Sequence, residues 1–185
     1  MSKPLKQRAT YADLCAVPEN FVAEIIAGEL YASPRPSPPH AHAASVLGIE
    51  LGGPFHRGRS GLGGWMLLDD PELHFGDDVL VPDIAGWRRE RMPALPNTAY
   101  FTLAPDWLCE VLSPSTETID RTRKLAIYAA QGVGHVWLVT PLLETLEVLR
   151  LESQRWSLLA THEGHAKLRA EPFDAIELEL GALWA

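Results

Sequence analysis

Two carboxylates interrupt sequence that is otherwise apolar. Asp83 lies in Val79-Leu80-Val81-Pro82-Asp83-Ile84-Ala85-Gly86-Trp87, and Glu110 lies in Trp107-Leu108-Cys109-Glu110-Val111-Leu112. Side chains alternate between the faces of a strand, so Asp83 is predicted to share a face with Val81 and Ala85, and Glu110 with Leu108 and Leu112. A carboxylate on such a face is costly to bury unless something pairs with it. One acid of this kind could be a hydrogen-bonded structural group; two, each near the end of an apolar strand, invite a shared cation. Mg2+ is commonly held by one or two carboxylates, with water and phosphate oxygens completing its shell. An ion so held activates water and neutralises charge at a phosphate. Asp120, Lys124 and Tyr128 are spaced by four and stack along one helical face. If that helix packs beside the end of the Glu110 strand, Lys124 reaches the ion, where an ammonium group would orient the water and stabilise charge on phosphorus.

Each of these residues has a plainer use. Asp83, following Pro82, suits a turn. Glu110 could pair with Arg121, and Lys124 with Asp120 on the helix surface. A pair of acids is also the equipment of a metal-free glycosidase, although the apolar strands lack an aromatic platform for sugar beyond Trp65 and Trp87. His40 and His42 sit two apart at a helix start with no third ligand at zinc-like spacing. His42 reads as a surface or capping residue, and His40 lies beside a proline-rich stretch.

The elements that must position these groups follow from pattern. Thr10 is a candidate cap for a short helix over 10–14. Residues 21–31 read as a hairpin turning at Ala27-Gly28. The four prolines of 33–39 predict a loop, read as a stiff connector rather than a mobile flap. A helix is predicted over 42–51, then glycine-rich turns between Gly52 and Gly64. Strands are predicted over 65–68, 79–87 and 107–112, with turns at Asp69-Asp70-Pro71 and Gly76-Asp77-Asp78. Ser113-Pro114-Ser115-Thr116 ends the last of these and offers caps for a helix over about 117–131, stopped by Gly132. A strand over 136–139 and a hairpin over 146–159 follow. The pattern does not decide 173–184. The order gives an α/β architecture: a mixed sheet flanked by helices, with added hairpins.

Composition narrows the function classes. The chain has 185 residues, 46% hydrophobic and 22% charged, as expected of one domain spanning 1–185 with a single core. No apolar run is long enough to span a bilayer, and the Met1–Thr10 segment lacks the apolar stretch of a secretory signal, so a cytoplasmic protein is expected. Cys15 and Cys109, the only cysteines, are predicted to be buried and reduced. The net charge of −8 argues against a surface that binds nucleic acid by bulk neutralisation. The densest basic stretches are Trp87-Arg88-Arg89-Glu90-Arg91 and Arg121-Thr122-Arg123-Lys124.

Val81-Pro82-Asp83-Ile84, then Glu110-Val111-Leu112-Ser113-Pro114-Ser115-Thr116, then Asp120, Lys124, Tyr128 and Gly132-Val133 resemble the Uma2 family of endonucleases, in the PD-(D/E)XK nuclease superfamily. The resemblance extends to 24–30, to His40 and to 172–176. It implies a restriction-endonuclease-like fold, Mg2+ (with Mn2+ as an alternative), and hydrolysis of a DNA phosphodiester. It implies Asp83 and Glu110 as metal ligands with the carbonyl of Val111, Lys124 as the catalytic lysine, Glu24 as a supporting acid and Asp120 as the residue orienting Lys124. The chain departs from the superfamily pattern at position 112, where the usual lysine is Leu, so the lysine has migrated to the following helix. It also departs from acidic family positions at Ala27 and Thr140. Cutting both strands of a duplex calls for two sites, so a homodimer is expected. The alternative is a catalytically inactive binding or interaction protein on the same fold, which the acidic charge favours.

Overall fold

Trp107–Val111 (β7), the strand that carries Glu110, lies inside a six-stranded sheet. In this computed structural model, which describes residues 8–184, the order is β10 (Arg155–Glu163), β9 (Thr145–Glu152), β8 (His135–Thr140), β7, β6 (Ile84–Arg88) and β3 (Trp65–Asp69). β7 and β8 run parallel, while the other neighbours are antiparallel. Parallel neighbours need a crossover. Here it is a helical segment built from α3 (Glu117–Ile119), a π turn (Asp120–Lys124) and α4 (Leu125–Ala130). A second sheet has the order β2 (Glu29–Pro34), β1 (Phe21–Ile26), β5 (Asp78–Leu80) and β4 (Leu73–Phe75), and β11 (Lys167–Leu168) pairs with β12 (Leu178–Glu179). The mixed sheet with flanking helices is the expected α/β architecture.

The alternation along β7 decides what each face buries. Trp107, Cys109 and Val111 point into an apolar layer with Ala43, Leu47 and Leu51 of α2 (Pro38–Leu51). Leu108 and Leu112 point into a second layer, with Trp87, Tyr128 and Leu138. The single core expected from composition is therefore split across two faces of one sheet. Phe173 plugs the first layer, its ring 4.7 Å from Phe55, 4.8 Å from Trp65 and 4.9 Å from Trp107. The undecided C-terminal stretch thus supplies a core anchor. Gly86 lets the rings close in: a Cβ there would meet Leu67 Cδ2 at 2.7 Å and the rings of Trp65 and Trp107 at 3.2 and 3.3 Å.

Several expectations need correction. The strand predicted over 79–87 is two strands in different sheets, β5 and β6, broken at Val81-Pro82-Asp83. Pro82 cannot donate to a ladder, and Asp83 therefore sits at the break rather than in a strand. The proline stretch is shorter as a loop: Ser33 and Pro34 end the edge strand β2, and Pro38 and Pro39 open α2, where a missing N–H costs nothing. α2 consequently starts four residues earlier than predicted and includes His40. The short strand β4 lies between the two predicted turns. Cys109 is buried as expected, but Cys15 is exposed. Thr10 does cap α1 (Tyr11–Cys15), in a reciprocal arrangement with Asp13. Of the Met1–Thr10 segment, residues 1–7 lie outside the described residues.

Candidate active site

The crossover helix brings its polar face against the end of β7. In α geometry, residues four apart overshoot a full turn by about 40°. The wider π turn over Asp120–Lys124 undershoots, so the two deviations offset and Asp120, Lys124 and Tyr128 all face Glu110. Lys124 Nζ lies 2.9 Å from Glu110 Oε1, 3.0 Å from Glu24 Oε1 and 3.3 Å from Asp120 Oδ1. Its side chain is only 3% exposed. The Tyr128 hydroxyl donates to Glu110 Oε1 at 2.6 Å. Glu24, on β1, also accepts from the Val81 N–H at 2.8 Å and so ties the second sheet to the broken segment.

Asp83 is fixed from two sides. The Val111 N–H, at the end of β7, donates to its Oδ2 at 2.6 Å, and His40 Nε2 lies 3.3 Å from its Oδ1. His40 Nδ1 is buried with no partner among the described residues. Asp83, Glu110, Lys124, Glu24, Asp120 and His40 line one cavity of about 330 Å³. Its walls are the 33–37 segment on one side and 113–116 on the other. The proline-bearing stretch read as a mere connector is thus a wall of the cleft.

The plainer alternatives for Glu110 and Lys124 do not describe this arrangement. Arg121 bonds Glu117 and Glu147, not Glu110. Lys124 is buried and holds three carboxylates rather than Asp120 alone. The lysine on the helix does reach the acid, and Leu112, where the superfamily pattern has its lysine, is buried in the apolar layer.

The cleft carries excess negative charge. Burial pushes the Asp83 carboxyl up to about 6, against the pull of His40, the Val111 N–H and Lys124. Burial likewise pushes Glu110 well up; Lys124 pulls it down, and Asp120, Asp83 and Glu24 push it up again. Burial alone would lower the Lys124 pKa, but Glu110, Glu24 and Asp120 outweigh it and hold the ammonium protonated. Five carboxylates, Glu24, Asp70, Asp83, Glu110 and Asp120, therefore line the cleft against two positive groups, Lys124 and Arg35. Acids displaced upward in this way form a site that favours an added cation.

The donor set suits one kind of cation. Among the described residues, no three His, Cys, Asp or Glu groups form a ready-made metal cluster. Both polar contacts of Glu110 fall on Oε1, which leaves Oε2 without a partner among the described residues. Asp83 Oδ1 and Glu110 Oε2 would offer two oxygens and no sulfur, a poor site for zinc but enough for Mg2+, which keeps water and phosphate in its shell.

Residues 8–181 match the model of the Uma2 family, described as "Putative restriction endonuclease". The chain belongs to the Uma2 family. A similar solved structure, at 24% identity and a TM-score of 0.74, is that of a putative nuclease belonging to DUF820 from Anabaena variabilis ATCC 29413. The match covers 95% of this chain and 97% of that one, and the two share the restriction-endonuclease-like fold. No curated protein matches the chain. Among the residues implied by resemblance to Uma2, Glu24, Asp83, Val111, Glu110, Asp120 and Lys124 all line the one cleft. Sequence patterning alone undervalued His40 and Tyr128. Tyr128 carried a signal in its spacing of four from Lys124. His40 carried one only through the family resemblance, because its partner lies 43 positions away.

Proposed function

We propose that this protein is a Mg2+-dependent endonuclease that hydrolyses DNA phosphodiester bonds, with Asp83 and Glu110 as metal ligands and Lys124 as the catalytic lysine. The observation that carries the reading is the meeting of a buried lysine and two acids from separate segments on one cleft whose negative charge that lysine does not balance. Mg2+ or Mn2+ held by Asp83, Glu110 and the Val111 carbonyl would supply positive charge at the scissile phosphate and a more acidic water. The chain's own groups do the rest. Val111 N–H and His40 hold the Asp83 carboxylate in one orientation. Tyr128 and Lys124 anchor Glu110 through a single oxygen. Lys124, kept protonated by three acids, orients the attacking water and stabilises charge gathering on the phosphate oxygens. Glu24 and Asp120 position the ammonium.

The reading includes a second copy of the chain when both strands of a duplex are cut. It also includes a cytoplasmic location, which the two unbridged cysteines support. No helix among the described residues is long and apolar enough to cross a membrane. The test is to offer plasmid and single-stranded DNA, with Mg2+ or Mn2+, to the wild type, Asp83→Ala and Lys124→Ala. Cleavage by the wild type only, abolished by EDTA, is expected; equal cleavage by all three sinks the assignment. The net charge of −8 favours a second reading, a non-catalytic binding protein on this fold. Absence of cleavage together with absence of Mn2+ binding near millimolar concentration would select it.

A further inference from the structure

Arginine is distributed unevenly in this acidic chain. Arg8, Arg91, Arg121, Arg123 and Arg150 each pair with a carboxylate. Seven others have no ion pair among the described residues; Arg35, Arg155 and Arg169 are scattered, whereas Arg57, Arg59, Arg88 and Arg89 lie around one loop and strand end. The Arg89 N–H donates to the Gly64 carbonyl at 2.9 Å, which fastens the end of β6 to the glycine-rich segment. The Arg89 guanidinium donates to the His56 carbonyl at 3.1 Å, beside Arg57. Arg88 lies over the Trp65 ring, 4.2 Å from its centroid. Gly58 and Gly63 pack backbone to backbone, a Cβ on Gly63 falling 3.3 Å from the Gly58 Cα. That contact closes the loop that presents Arg57 and Arg59, both exposed.

This basic surface and the cleft are lined by adjacent residues of the chain. Arg57 and Arg59 line a hollow of about 390 Å³ together with Leu67, Asp69 and Ile84. Asp69 and Ile84 are the chain neighbours of Asp70 and Asp83, which line the cleft. β6 then leads away from Asp83 to Arg88, five residues on, a path of roughly 17 Å at strand rise. A B-form strand covers that in about five nucleotides at 3.4 Å each. Asp69 lines the hollow, and Glu90 follows Arg89 in the chain. Asp106 is engaged by Arg91 and by the Arg88 N–H.

We propose that Arg57, Arg59, Arg88 and Arg89 form a second contact for the substrate, holding the phosphate backbone of a nucleic acid from the edge of the cleft out to Arg88, about five nucleotides from the cleaved bond. The inference deepens the nuclease reading and rests on it. It explains how an acidic protein holds a polyanion: the charge is placed on one track instead of spread over the surface. A planar guanidinium with five donors suits phosphate oxygens, and the contact is blind to base sequence.

The test is equilibrium binding of a fluorescent 16-nucleotide DNA in EDTA, as a function of salt, for wild type and Arg57→Ala/Arg59→Ala. Removing two phosphate contacts should lower the slope of log K against log salt by about 1.4 to 1.8 and weaken binding roughly ten-fold at 0.1 M salt. Arg57→Lys/Arg59→Lys should restore most of the slope. Unchanged slope and affinity for the 16-mer would overturn the proposal, even in a protein that cleaves DNA. A reduced slope in a protein that never cleaves would leave the contact standing and defeat the nuclease assignment instead.

Discussion

Lys124 is the residue on which the site turns. It satisfies Glu24, Glu110 and Asp120 together, each within 3.3 Å, with its own side chain buried. Removing one partner of a buried ionic group strands the others, at a cost of about 3 to 5 kcal/mol. Lys124→Ala is therefore expected to lose stability on that scale in urea unfolding, and part of it should return in Lys124→Ala/Glu24→Gln; a change below about 1 kcal/mol would mean the cluster is not energetically coupled. Asp83 behaves in the opposite sense. Its carboxyl is raised from 3.8 to about 6, so the folded state binds the proton more tightly than the unfolded chain does. Stability is then lost as pH rises from 3.8 through 6, by about 3 kcal/mol once the group is ionised. In EDTA at pH 8, Asp83→Asn should melt higher than wild type, with the gain vanishing below pH 4; a lower Tm at pH 8 would contradict the account. Asp83 and Glu110 were legible in the sequence because charge in apolar runs is conspicuous; Lys124, in a polar run, was legible only through its spacing and the family resemblance. The Asp83–His40 contact was not, because nothing local couples two residues on different elements.

At the scale of elements, β7 and the crossover helix follow from alternation and from the spacing of Asp120, Lys124 and Tyr128. The π turn that aligns those three residues on Glu110 leaves no mark in apolar periodicity. The break at Val81-Pro82-Asp83 was concealed by the apolar residues on both sides of it. β5 and β6 each continue the pattern, but the missing Pro82 donor and the Val81 N–H bond to Glu24 direct them into different sheets. The same break frees Asp83 to turn toward the Val111 N–H. The C-terminal stretch was illegible for another reason: its role is a single ring inserted among aromatic side chains from distant elements. Phe173 is fully buried against Phe55, Trp65 and Trp107. Phe173→Ala should cost about 3 to 5 kcal/mol in urea unfolding. A loss near zero would show that the segment only covers the surface.

For the whole molecule, the bulk charge of −8 averages an acidic cleft and a basic surface, so by itself it does not decide the partner. Acids gather in the cleft, and four arginines without ion pairs lie between the 57–59 loop and the end of β6. The mixed sheet sets both, since β6 begins beside Asp83 and ends at Arg88. Membership of the Uma2 family points to a nuclease, and the electrostatics of the cleft are the reason a divalent ion is proposed there. The central claim is that one cation is shared by Asp83 and Glu110 beside Lys124. Diffraction from crystals grown with Mn2+, recorded for its anomalous signal, tests it directly. The account requires a single strong peak bonded to oxygens of both acids, at about 2.0 to 2.3 Å, with Lys124 Nζ alongside. A peak elsewhere, or an empty cleft at a Mn2+ concentration that supports cleavage, would contradict it.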